Sequence, residues 1–93
     1  MTDVIKRSGN KEEFNPNRIR DSLKKATIDA GETSKKTFEN VKSVADEVVK
    51  ESEKKDEIET SEIRKNILDK LDNKEKKVAE AWRRFDKKYK IWK

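Results

Sequence analysis

Lys6, Arg7 and Arg18 are the side chains whose type and spacing suggest chemistry in this sequence, and that chemistry is the capture of a phosphate-bearing ligand. Lys6 and Arg7 read as neighbours on a short strand, so their side chains leave opposite faces. A twisted, isolated hairpin still lets both curl around one edge towards a common anion. Arg18 falls three residues past a helix cap at Asn15, in the first turn, where the partial positive charge of a helix N-terminus makes a basic residue electrostatically misplaced. Free backbone amides, the dipole and Arg18 together favour a phosphate at that end, and Arg20 adds to the same field. Ser8-Gly9, Glu12 and Asn15 complete the constellation. The alternative is a solvated charged face. With 48% of residues Asp, Glu, Lys or Arg, residue types alone favour that blander reading.

Most other chemistries are excluded. Without Cys there is no disulfide framework, thiolate zinc site or cysteine nucleophile, and without His the common imidazole base and His-ligated metals disappear. No carboxylate pair stands out from 20 acids scattered among bases. Only Gly9 and Gly31 are present, too few for the G-x-x-x-x-G-K-[ST] phosphate loop or the G-x-G-x-x-G turn. The residues therefore point to a binding protein with no catalytic or metal site.

The elements that must position these residues follow from local signals. The 93 residues allow one domain, and nineteen Leu, Ile, Val and Phe side chains must supply nearly its whole core. Residues 3–14 read as a hairpin, with Ser8-Gly9-Asn10 offering positive φ at the turn. Asn15-Pro16 caps and starts a helix over 16–30, with Ile19, Leu23, Ala26 and Ala30 on one face and Gly31 as its stop. A second helix over 34–52 carries Phe38, Val41, Ala45 and Val48, then fades into a polar frayed end and loop at 51–57. Thr60-Ser61 caps a third over 61–72, turning Ile63, Ile67, Leu68 and Leu71 inwards. Asn73 caps a fourth over 74–91, in which Val78, Trp82, Phe85, Tyr89 and Trp92 step at helical spacing. The expectation is an α+β domain over 1–93, mostly helical, with a short N-terminal hairpin packed on a four-helix cluster.

Charge is uneven along the chain. Residues 74–93 hold nine basic and three acidic side chains, whereas residues 1–73 are nearly neutral. A nucleic-acid-binding protein acting through residues 74–93 is therefore the alternative function, with Arg83, Lys87 and Lys90 as its basic strip. The Trp82, Phe85, Tyr89 and Trp92 stripe could stack bases, but its spacing favours core packing for Trp82 and Phe85. An exposed Trp92 would mark a partner surface or a site of self-association. No apolar run is long enough for a membrane span and no signal peptide opens the chain, so a cytoplasmic setting is expected.

Val4-Ile5-Lys6-Arg7-Ser8-Gly9, followed by Glu12, Phe14, Asn15 and Arg18-Ile19, resembles the opening of the ATP-cone family. That pattern is a strand ending Lys-Arg-Asp-Gly, a short return strand and a helix beginning Lys-Ile. Ile58-Glu59-Thr60-Ser61-Glu62-Ile63 is similar to the family's third-helix start, and Val78-Ala79-Glu80-Ala81-Trp82-Arg83-Arg84-Phe85 to its last helix. The likeness spans nearly the whole chain in order, and it reverses the preference for a solvated face. ATP-cones occur at the N-terminus of class I and III ribonucleotide reductases and in the bacterial repressor of reductase genes. They bind ATP or dATP and convert the ratio into a change of quaternary structure.

The resemblance implies that Lys6, Arg7 and Arg18 hold phosphates, that Glu12 and Asn15 face base and sugar, and that Thr60 and Arg64 approach from the third helix. Lys87 or Lys88 would approach from the fourth. It also implies ATP or dATP as ligand, with or without Mg²⁺, and signalling through a protein partner or self-association. Ser8 stands where the family has Asp, and Arg18 where it has Lys, which keeps the charge but replaces a point donor with a planar fork. With neither a catalytic barrel nor a four-cysteine zinc ribbon in the sequence, the expectation is a free-standing cone or one cut from a larger protein. Met1 and Asp3-Val4 favour a natural beginning.

Overall fold

A computed structural model describes residues 2–92. Local sequence chemistry accounts for most of its elements. Strands β1 (Asp3–Ile5) and β2 (Lys11–Glu13) pair antiparallel, with Val4 opposite Glu12. The turn between them closes through Gly9 N–H to Lys6 C=O at 2.8 Å and Lys6 N–H to Asn10 C=O at 2.8 Å. Gly9 takes φ +91°, a backbone conformation that glycine adopts without steric cost, while Asn10 stays at negative φ. Lys6 and Arg7 thus lie in the turn, just past the end of β1, and escape the strand alternation expected of them.

Helix α1 (Pro16–Asp29) begins as the sequence indicates. Asn15 is extended, its Oδ1 accepts the Asn17 amide at 3.0 Å, and Pro16 occupies the first helical position. The helix ends in a Schellman motif: Gly31 N–H reaches Ile28 C=O at 3.0 Å and Glu32 N–H reaches Thr27 C=O at 3.3 Å. Gly31 sits at φ +72°, and an added Cβ would meet nothing within 4 Å. Gly31→Ala therefore tests the backbone alone. It should cost about 1 kcal/mol, read as a urea midpoint lowered by roughly 0.5–1 M at unchanged slope.

Helix α2 (Lys35–Glu53) is capped by Ser34, whose Oγ accepts the Thr37 amide at 3.2 Å. It runs to Glu53, one residue beyond the expected end of the helix, so the polar stretch from residue 51 begins as helix. The chain then forms a strand that sequence reading missed, β3 (Glu57–Glu59), which pairs parallel with β1, Val4 opposite Ile58. The sheet order is β2-β1-β3. Val4 and Ile58 are both buried, while the flanking Asp3, Glu57 and Glu59 face outwards. Three residues with a single apolar centre are too short to show a period of two, and only the partner strand more than fifty positions away makes them a strand.

Two expected caps also differ. Helix α3 (Thr60–Lys74) starts on Thr60 itself, with Glu59 at the cap position making no side-chain capping bond. Helix α4 (Lys76–Tyr89) has Glu75 at its cap position, and Asn73 lies inside α3. The four helices close a ring in which α1 packs on α2 and α4, and α3 on α2 and α4. Ile19, Leu23, Val44, Val48, Ile63, Ile67, Leu71, Val78 and Trp82 fill the centre. Trp82 is 1% exposed, and its indole N–H donates to Ser22 Oγ at 3.0 Å. Leu68 and Ala30, placed on the apolar stripes by spacing, are only partly buried at the edge of this core, and Phe38 and Phe85 are likewise half-buried.

Trp92 is also buried. Lys90 ends α4 in the left-handed region at φ 48°, turning the chain so that Ile91 and Trp92 fold against the core. The exposed aromatic at this end is Tyr89, at 55%, with its ring 4.8 Å from that of Phe85.

Candidate functional site

The hairpin turn lies beside the start of α3. A cleft of about 520 Å³ between them is lined by Lys6 and Arg7 from the turn and by Glu59, Thr60, Ser61 and Arg64 from β3 and α3. Since β3 ends at Glu59 and α3 begins at Thr60, the parallel β1–β3 pairing carries the first turn of α3 to the end of β1. A helix N-terminus whose cap residue contributes no side-chain bond thus faces two basic residues, and Arg64 follows Thr60 by one helical turn on the same face. A second cleft of about 770 Å³ shares Arg7 and Arg64 and continues along α4 past Arg83, Asp86, Lys87 and Lys90 to Trp92. Five basic side chains line that second cleft against one acid among the described residues.

The hairpin is tied to α1 by ion pairs. Glu12 accepts from Lys6 at 3.1 Å and from Arg18 at 2.5 Å. Arg18, unfavourable beside a helix N-terminus, is thus balanced by a carboxylate from β2. On the opposite wall Arg64 Nε donates to Asp86 Oδ2 at 2.8 Å. Arg83, which lines the second cleft, makes a forked pair with Asp72, at 2.8 and 3.2 Å, and holds the Asp72 carboxyl below its usual range.

The structure therefore brings Lys6, Arg7, Thr60, Arg64 and Lys87 to one joined concave surface. Glu12 and Arg18 are linked to it through Lys6. Asn15 is exposed at the cap of α1, with its side-chain oxygen engaged by the Asn17 amide. Lys88 lies apart, its Nζ 5.3 Å from the Tyr89 ring centroid, so of the two neighbouring lysines it is Lys87 that reaches the cleft. Arg20 does not join the basic field. It pairs with Asp46 of α2 and lines a different groove, whose floor is Leu23, Phe38, Val41 and Ala45. That groove has an apolar floor with Lys24 and Lys42 at its rim, and its Arg20 is already engaged by Asp46.

Sequence reading missed Asp86. One signal was available: Asp86 is the single acid in the run 82–90, among Arg83, Arg84, Lys87, Lys88 and Lys90. The basic excess of residues 74–93 is partly matched once the chain folds. Lys74 meets Glu47, Lys77 meets Glu32 and Arg83 meets Asp72, while Lys87 and Lys90 turn to the cleft.

Among the described residues no helix is long and apolar enough to cross a membrane. A search of curated proteins finds no match for the chain. The family model of the ATP cone domain matches residues 2–91, from the residue before β1 to the residue before the buried Trp92. ATP-cone domains are nucleotide-binding regulatory modules rather than catalytic ones. With a match of that extent over a mostly helical α+β fold, the chain belongs to the ATP-cone family.

Proposed function

We propose that the protein binds ATP or dATP in the joined cleft and passes its occupancy on as a conformational or oligomeric change. The observation that carries this reading is the convergence of Lys6, Arg7 and Arg64 on the open N-terminus of α3, with Lys87 in the adjoining cleft that shares Arg7 and Arg64. These four cations, with Thr60 and the first amides of α3, take the phosphates, where charge-assisted contacts and the helix dipole act together. Arg18 and Glu12 stand on the α1 side of the hairpin, and Glu12 with Asn15 faces sugar and base. Lys87 is preferred over Lys88 because it lines the cleft. No group of three acidic side chains converges among the described residues, so Mg²⁺ would enter on the phosphates and not in a protein cage.

The signal is proposed to leave through α4. That helix carries Lys87 into the cleft and exposes Tyr89 at its far end, the surface best suited to a protein partner or a second copy. Calorimetric titration with ATP and dATP, with and without Mg²⁺, is the direct test. The expected result is saturable binding at micromolar nucleotide accompanied by a change of mass or shape in light scattering and small-angle scattering. Absence of heat at millimolar nucleotide would overturn the reading.

A further inference from the structure

Arg64 is a cleft cation with two partners already in place. Its Nε donates to Asp86 Oδ2 at 2.8 Å, and its guanidinium carbon lies 5.2 Å from the centroid of the Trp92 ring. The Asp86 side chain is 16% exposed, and its second oxygen, Oδ1, is buried without a hydrogen-bond partner. Asp86 is also the single acid among the described residues that line the larger cleft, opposite Arg7, Arg64, Arg83, Lys87 and Lys90.

We propose that Asp86 is a specificity-determining residue that competes with the ligand's phosphates for Arg64, and so weakens binding only of ligands whose phosphates take the Asp86-bound edge of Arg64. This inference rests on the nucleotide reading above. A carboxylate and a phosphate oxygen make the same kind of charge-assisted contact with a guanidinium, so the two exclude each other on one edge of Arg64. Withdrawing Arg64 leaves Asp86 with neither oxygen paired. Breaking a partly buried pair by removing one partner costs more than breaking an exposed one, because the remaining charge has little water to turn to. A triphosphate that takes this edge of Arg64 must overcome that cost, whereas a monophosphate held by Lys6 and Arg7 that leaves the edge to Asp86 does not incur it. Trp92 reports the exchange, since its ring is held against Arg64 by the turn at Lys90.

The test titrates ATP, AMP and inorganic tripolyphosphate into the native protein and into Asp86→Asn, Asp86→Ser, Arg64→Ala and Asp86→Asn/Arg64→Ala, with thermal melts to confirm folding. Asp86→Asn should tighten ATP and tripolyphosphate about tenfold while AMP changes by less than about twofold. In the Arg64→Ala background the gain should shrink to under about threefold, because the competition has lost its object. ATP should alter tryptophan fluorescence in the native protein and not in Trp92→Phe. An equal gain in the Arg64→Ala background marks a bulk charge effect and overturns the proposal. ATP binding that both Asp86 variants leave unchanged or weaker overturns it too, with the nucleotide reading intact. No binding of any nucleotide to any variant overturns both.

Discussion

Trp82→Ala should unfold much of the population at moderate temperature, with a loss of about 3–5 kcal/mol. Trp82 is the largest fully buried side chain, and it stands where α4 faces α1, its indole N–H bonded to Ser22 of α1. Truncation removes the greatest single block of apolar area from a core that this lysine- and glutamate-rich sequence fills sparingly. A domain of this size holds only about 5–14 kcal/mol in total. Each kcal/mol moves the melting temperature of such a domain by about 4–8 °C, so a fall of roughly 15–30 °C is expected in a calorimetric scan. Trp82→Phe separates packing from hydrogen bonding. It keeps most of the buried ring and should cost about 1–2 kcal/mol, because Ser22 Oγ still donates to Ile19 C=O. An Ala variant that melts within a few degrees of the native protein would show that the α1–α4 contact does not hold the fold together.

Lys6→Ala/Arg7→Ala should abolish nucleotide binding while leaving the fold almost untouched. A hydrogen bond to a charged group contributes about 1.5–3 kcal/mol, so two phosphate contacts together represent at least about 3 kcal/mol, or a hundredfold in Kd. Stability should barely change. Both residues lie in the surface turn, and the one ion pair lost among the described residues, Lys6 with Glu12, leaves Glu12 still paired with Arg18. Arg7→Lys should recover part of the affinity, since the charge returns but the planar fork does not. A matched control removes the same charge elsewhere: Lys24→Ala/Lys42→Ala, at the rim of the apolar groove between α1 and α2, should change Kd by less than about threefold. If both doubles weaken ATP alike, net charge governs the binding. If neither does, the turn is not the phosphate site.

Much of this molecule was legible in short stretches of sequence because the governing chemistry is local. Asn15-Pro16 starts α1 and Gly31 ends it through interactions spanning no more than six residues, so their types alone announce the boundaries. The inward faces of α3 and α4 follow helical periodicity for Ile63, Ile67, Leu71, Val78 and Trp82, which are all buried, whereas Leu68 and Phe85 of the same stripes are only half-buried and Tyr89 is exposed. Gly9 marks the hairpin turn for the same kind of reason. What failed were features whose cause is distant. Thr60-Ser61 and Asn73 have capping side chains, but parallel pairing with β1 extends the chain up to Glu59, and α3 runs on past Asn73. Arg20 and Arg18 look equivalent in sequence, yet one meets Asp46 on α2 and the other Glu12 on β2.

The cleft shows the same division. The sequence by itself determined the cations, Lys6, Arg7 and Arg18 around a helix start, and by resemblance the class of ligand they would hold. Only the tertiary structure decided which of the remaining charges face them. Pairing of Val4 with Ile58 across more than fifty residues sets the start of α3 beside the hairpin turn, which brings Thr60 and Arg64 to Lys6 and Arg7. Packing of α4 on α1 and α3 then selects Lys87 over Lys88 and places Asp86 against Arg64. The left-handed turn at Lys90 buries Trp92 instead of exposing it. Residue types fix what a side chain can bind over a few ångströms. Which side chains come within those few ångströms depends on backbone pairing and helix packing between segments that no local pattern connects.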